Sequence, residues 1–110
     1  MSWKPEIDEL NRREEFARAL GGEKGVAYQH GIGKHTARER IDMLVDEGSF
    51  REFGIAAGRA TYDEDGNFVE ATPSNAIIGK GRIDGRKTVL SVDDFTIRGG
   101  SSEATISEKW

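Results

Sequence analysis

At 110 residues the chain has room for at most one small domain, and folding at that length hides only about two-thirds of the unfolded chain's surface. Charged residues make up 33% and apolar residues 35%, with fourteen glycines and two prolines, on the polar side of the globular range. The net charge of −4 excludes the basic footprint of a nucleic-acid or acidic-membrane binder, though not a local basic site for a phosphate-bearing ligand, and the lack of cysteine excludes disulfides, thiolate nucleophiles and cysteine zinc sites.

The charged N-terminus lacks the apolar core of a signal peptide, and no run approaches the ~20 apolar residues of a membrane span, so a soluble cytoplasmic protein is expected. Residues 1–22 read as an amphipathic helix. Trp3, Ile7, Leu10, Ala17 and Leu20 recur at three- and four-residue steps with Phe16 beside them. Ser2 suits the N-cap, Pro5 the first turn, and Gly21-Gly22 the stop. Arg12, Arg13, Glu14, Glu15 and Arg18 form a solvated outer face, while the two aromatics must pack on something, for which a neighbouring subunit is a candidate.

Residues 23–34, with Gly25, Gly31 and Gly33, read as a flexible loop. A second helix then starts on a capping box, Thr36 with Glu39, and buries Ala37, Ile41, Leu44 and Val45 before Glu47-Gly48 ends it. Residues 49–53 read as a short strand with Phe50 and Phe53 as core candidates, and the polar stretch 62–75 as a mobile hairpin tip or insertion. The clearest β signal is a pair of runs, 76–82 and 87–93, around Asp84-Gly85. Val89 and Leu90 point to opposite faces, so both faces of the second strand are expected to be covered. A lone hairpin is marginal and needs more sheet. A helix beginning near Ser101 or Ser102 is expected to close the chain.

Several stretches invite chemistry. Gly31-Ile32-Gly33-Lys34-His35-Thr36 fails the phosphate-loop spacing, because Tyr28 and His35 stand where a glycine and a hydroxyl residue are required. As a glycine loop before a capped helix it retains the form of a weak anion site. His30 and His35 lack a third metal ligand, and residues 63–67 lack calcium-loop spacing and read as a turn. Arg38 and Arg40 either pair with Glu39, Asp42 or the sheet, or reach the phosphates of a ligand. In extended backbone Asp93 and Asp94 point apart, which disfavours a catalytic dyad and turns one inward onto backbone donors. Gly99-Gly100-Ser101 reads equally as a tight strand-to-helix turn or as a ligand-approach corner.

The run GKHTARERIDMLVDEGSFREFG resembles the N-terminal signature G-K-L-T-A-R-E-R-I, followed by Asp and a Gly-Ser-Phe turn, of the biotin-dependent acyl-CoA carboxyltransferases, the β-subunit type of propionyl-CoA and acetyl-CoA carboxylases. The matching residues are Gly33, Lys34, Thr36, Ala37, Arg38, Glu39, Arg40, Ile41, Asp42, Gly48, Ser49 and Phe50. VDDFTIRGGSSEATISEKW is similar to the family's D-F-T-V-x-G-G-S segment through Asp94, Phe95, Thr96, Gly99, Gly100 and Ser101, with Glu108 and Lys109 beyond. The hairpin IIGKGRIDGRKTVLSVDD looks like the family's G-x-G-x-I-x-G-R-x-V. His35 stands for a usual apolar residue, Arg98 for a frequent aromatic, and residues 62–75 for a shorter family loop.

The resemblance implies an α/β chain, the N-terminal portion of a crotonase-like (ClpP/crotonase superfamily) carboxyltransferase domain and incomplete alone, with residues 23–110 as the first part of that domain. Such enzymes move a carboxyl group from N1-carboxybiotin, with biotin carried on a partner protein, to the α-carbon of an acyl-CoA. The family's backbone oxyanion groups lie further along its sequence, so no catalytic residue is carried over. Substrate-framing residues implied here are Arg38, Phe95, Gly99, Gly100 and Ser101, with no metal. Expected partners are the remaining carboxyltransferase chain or chains and a biotin carboxylase/biotin carrier subunit, in a hetero- or homo-oligomer without nucleic acid or membrane. The alternatives are a non-catalytic assembly module that keeps this fold and docks a partner subunit, and an acyl-CoA-binding domain without chemistry.

Overall fold

Asp84 and Gly85, both left-handed with φ of 51° and 78°, turn the chain tightly between two eight-residue strands, as the Asp-Gly signal requires. The computed structural model describes residues 2–100. Along them run helices α1 (Lys4–Arg18), α2 (Gly22–Gly31) and α3 (Ala37–Leu44), and strands β1 (Arg51–Phe53), β2 (Gly58–Tyr62), β3 (Phe68–Pro73), β4 (Ala76–Ile83) and β5 (Arg86–Asp93). The fold is a mixed α/β one. β1, β4 and β5 form an antiparallel sheet in that order, and β2 pairs antiparallel with β3 in a separate ribbon.

The core sits between this sheet and α3. Ile77 of β4 meets Leu20, Ala37 and Ile41, with Val26, Val45, Phe50 and Val92 packed around them. The capping box fixes how α3 enters: Thr36 Oγ1 accepts the Glu39 N–H at 3.3 Å, and the Glu39 carboxylate accepts the Thr36 N–H at 2.7 Å. The helix ends at Leu44, which is exposed, so the buried stripe is shorter than the sequence predicts. Phe50 is packed in the core, whereas Phe53 is 42% exposed.

Four expectations need correction. Residues 23–34 are not a loop throughout, because α2 occupies most of them. Gly22 and Gly31 sit at its ends, where glycine is tolerated, and Gly25 lies against Thr96. Residues 62–75 do hold a hairpin tip, at 63–67 between β2 and β3, but most of the stretch is more than a tip: β3 fills its middle, and Ser74 and Asn75 are buried. The turn at 63–67 is held by Asp63 Oδ1, which accepts the N–H groups of Asp65 and Asn67 at 2.9 Å each. The outer face of α1 is not solvated throughout either. Arg12 and Arg13 lie over the Phe68 ring at 4.8 and 5.8 Å, and Arg12 donates to the carbonyls of Phe68 and Val69. Phe16 meets the same ring edge-on at 6.1 Å.

The fourth correction concerns β5, which is covered on one face only. Leu90 is buried while Val89 is 74% exposed, because β5 is the sheet's edge and no described element crosses its second face there. The N-terminal half of α1 likewise overhangs the body, leaving Trp3, Ile7 and Leu10 exposed while Ala17 and Leu20 reach the core. No helix among the described residues is long and apolar enough to cross a membrane.

Candidate functional site

The end of β5 is pinned from three sides. Asp94 is 1% exposed, and its N–H donates to the Asn75 carbonyl at 2.7 Å. Its Oδ1 accepts the Thr96 N–H at 2.9 Å and the Thr96 hydroxyl at 2.6 Å, which closes an Asx turn. The Thr96 Oγ1 in turn accepts the Gly21 N–H at 2.8 Å from the α1–α2 corner. Asn75 Nδ2 donates to the Ile97 carbonyl at 3.3 Å, and Ile97 is buried. Asp94 is therefore the inward carboxylate of its pair, while Asp93 stays exposed.

With Asp94, Thr96 and Ile97 held inward, the Phe95 side chain is pushed out. Phe95 is 53% exposed. The chain then takes three successive left-handed residues, Arg98, Gly99 and Gly100, with φ of 51°, 59° and 78°. A Cβ on Gly100 would overlap the Phe95 ring, so glycine there is required both by φ and by the aromatic. The Gly100 N–H is used within the turn, donating to the Ile97 carbonyl at 3.0 Å. The described part of the corner is thus a shaped surface, an aromatic ring on glycine backbone, with the Gly100 N–H already taken. It follows an intervening Asp94–Ile97 turn and does not spring directly from the strand, and Ser101 lies outside the described residues.

Beside Phe95 is a depression of about 240 Å³ whose walls include Gln29, His35, Arg40, Asp93 and Thr96. Arg38 lies elsewhere. Residues two apart on a helix project about 200° apart, so α3 sends Arg40 toward Phe95 and Arg38 the opposite way. There Arg38 forks onto Glu52 of β1, with Nη1 to Oε1 at 2.7 Å and Nη2 to Oε2 at 3.2 Å, and reaches the Ala17 carbonyl at 3.4 Å. This pair lines a separate cleft of about 690 Å³ with Arg18, Asp42 and Phe50. The structure brings Phe95, Gly99 and Gly100 together and sets Arg38 apart from them.

His30 is a helix-end partner: its Nε2 lies 2.7 Å from Glu39 Oε1, the carboxylate of the capping box. The Thr36 backbone N–H, and after it His30, draw the Glu39 carboxyl down to about 2. Sequence reasoning did not single out Gly21 and Thr96 as partners. Only the family-like D-F-T run hinted at Thr96, and nothing local ties it to a glycine 75 residues away.

The carboxyl transferase domain model matches residues 28–110. The propionyl-CoA carboxylase beta chain of Roseobacter denitrificans is 40% identical over 103 residues, covering 94% of this chain and 20% of that protein. The propionyl-CoA carboxylase carboxyltransferase subunit of Haloferax mediterranei is 38% identical over 109 residues, covering 99% of this chain and 21% of its own length. Among solved structures, a transcarboxylase 12S crystal structure, described as a hexamer assembly with methylmalonyl-coenzyme A and methylmalonic acid bound, superimposes with a TM-score of 0.76 at 33% identity. It covers 99% of this chain and 21% of the transcarboxylase chain. The chain thus spans about a fifth of the length of the relatives it matches.

Proposed function

The chain belongs to the carboxyl transferase domain family, and we propose that it acts as a component of a biotin-dependent carboxyltransferase, supplying structural elements and part of the frame of an acyl-CoA site. In this reading the fold is the N-terminal portion of a crotonase-like domain. The observation that carries it is the corner where Phe95 lies half exposed against Gly100, rigidly seated by Asp94 and Thr96. Phe95, Gly99 and Gly100, together with Ser101, frame the acyl-CoA side. Arg38, in the separate cleft, meets a ligand anion only by exchanging Glu52 for it. The carboxyl group passes from carboxybiotin, carried on a partner protein, to the α-carbon of the acyl-CoA. No residue of this chain is assigned to hold biotin or to do the chemistry, since the oxyanion groups of the family it resembles lie further along the family's sequence.

Open surfaces support the need for a larger neighbour. The backbone edge of β5 and the exposed Trp3, Ile7 and Leu10 are what a partner chain would cover. The partners in this reading are the remaining carboxyltransferase chain or chains and the biotin carboxylase/carrier subunit, in the cytoplasm. The bidentate Arg38–Glu52 pair favours a second reading, a non-catalytic assembly module, because it takes up the one arginine among the substrate-framing residues. Copurification decides between them. A larger carboxyltransferase-like subunit should come down with this chain, and only the pair should carboxylate an acyl-CoA from free carboxybiotin. A stable, monodisperse monomer of the 110-residue chain with no affinity for coenzyme A would refute the first reading.

A further inference from the structure

The acyl-CoA corner leaves unused a charge array on the second face of the three-stranded sheet, near the tip of the β4–β5 hairpin. The register fixes its layout. Arg51 lies opposite Lys80, Lys80 opposite Val89, and Arg82 opposite Lys87. Lys80 and Arg82 are two apart on β4, so all five side chains leave the sheet on one face. Strand neighbours stand about 4.8 Å apart and alternate residues about 6.7 Å apart, which confines four cations to a patch about 10 Å across. With Ser49 at its edge, the patch forms a groove of about 340 Å³.

Nothing among the described residues neutralises it. None of the four cations is in an ion pair. Arg51 donates only to the carbonyls of Gly48 and Phe50, and the side chains of Lys80, Arg82 and Lys87 make no hydrogen bond there. Like charges directly opposite each other destabilise a sheet, and here two such pairs, Arg51 with Lys80 and Arg82 with Lys87, stand side by side. In a chain of net charge −4 this is a local inversion of sign, and a bound anion would relieve it.

We propose that this groove binds a compact phosphate-class polyanion, a diphosphate. Two guanidinium groups offer forks that match phosphate oxygens, and two ammonium groups add point charges on the same grid. The groove is concave, and its volume falls in the small-ligand range rather than that of a peptide-docking face. Val89, 74% exposed, supplies an apolar wall for the organic part of an ester. Free pyrophosphate and a diphosphate ester present the same chemistry to these four groups. The site rests on the array alone, independent of the acyl-CoA reading. It lies six residues along β5 from Asp93, about 20 Å at strand spacing.

The test is calorimetric titration of the full chain, with its partner subunit where one copurifies, using inorganic pyrophosphate and separately ADP at low ionic strength. Saturable binding that weakens with added salt is expected, and Arg82→Gln with Lys87→Gln should lower affinity at least about tenfold. Arg59→Gln, on β2, should leave it unchanged. Binding of ADP in competition with pyrophosphate supports the site with an ester as its source. Binding of pyrophosphate alone supports it with the free anion. Should the double variant misfold, the wild-type chain still decides, since pyrophosphate should shift the backbone amide resonances of residues 80–82 and 87–89. No binding of pyrophosphate, binding indifferent to the double variant, or binding of a glutamate-rich peptide that pyrophosphate does not displace would each overturn the proposal.

Discussion

Gly21 and Thr96 meet with no room between them: the Gly21 N–H donates to Thr96 Oγ1 at 2.8 Å, and a Cβ on Gly21 would overlap the Thr96 carbonyl. The α1–α2 corner is thereby clamped to the turn that presents Phe95. Gly21→Ala should force the backbones apart and destabilise the chain by about 1–3 kcal/mol, as overpacking does. Gly31→Ala is the control. Among the described residues no atom beyond its own helical turn lies within 4 Å of its added Cβ, so it should be neutral or stabilising by about 0.5–1 kcal/mol. Urea unfolding of the two variants measures both, and equal midpoints would refute the clamp.

This contact also marks where sequence reading stops. The β4–β5 hairpin and the Thr36–Glu39 capping box are legible because their determinants are local: Asp84-Gly85 in one case, a three-residue spacing in the other. Helix α2 is not legible, because Gly25 reads as a breaker until Thr96 is seen packed against it. The β2–β3 ribbon is missed for a similar reason. Its strands are short and largely polar, and the residues that hold it, Phe16, Arg12 and Arg13, come from α1 some fifty residues earlier. At the candidate site, the grouping of Phe95 with Gly100 follows the chain, whereas the separation of Arg38 from Arg40 follows helical geometry that the sequence reading did not apply.

The capping box makes stability depend on acid. The Glu39 carboxyl titrates at about 2 in the folded chain and at 4.5 ordinarily, because the Thr36 N–H and His30 favour its charged form. A lowered folded value means that the stabilisation is complete above pH 4.5 and is lost as pH falls from 4.5 toward 2. Glu39→Gln should flatten the stability profile across that window while changing little of its shape above it. His30→Ala should raise the Glu39 titration midpoint, read by carboxyl NMR. A midpoint indifferent to His30 would exclude the 2.7 Å contact in solution.

Arg38 and Glu52 form a bidentate pair with side chains 21% and 10% exposed, so each is costly to leave alone. Arg38→Ala should destabilise by about 3 kcal/mol, Glu52→Ala by a similar amount, and the double variant by less than their sum. A coupling of about 1–2 kcal/mol is expected from the cycle. Arg38→Lys should recover only part of the loss, because an ammonium cannot fork. If acyl-CoA affinity of the assembled complex falls in Arg38→Ala but not in Glu52→Gln, the arginine meets the ligand. If both change only unfolding, it is a strut between α3 and β1.

Phe95 and Gly100 separate framing from folding. Phe95 is half exposed, so Phe95→Ala should cost the chain little stability. If its ring walls the acyl-CoA site, KM of the assembled enzyme for acyl-CoA should rise by about tenfold, equivalent to about 1.4 kcal/mol, with kcat nearly unchanged. Gly100→Ala should act on both. Its φ of +78° strains any side chain, by about 1–2 kcal/mol, and the added methyl would displace the ring. Its KM effect should therefore match that of Phe95→Ala, and combining the two should add almost nothing to KM. Additive KM effects would mean that the two residues meet the ligand separately, and unchanged KM in both would remove the corner from the acyl-CoA site altogether.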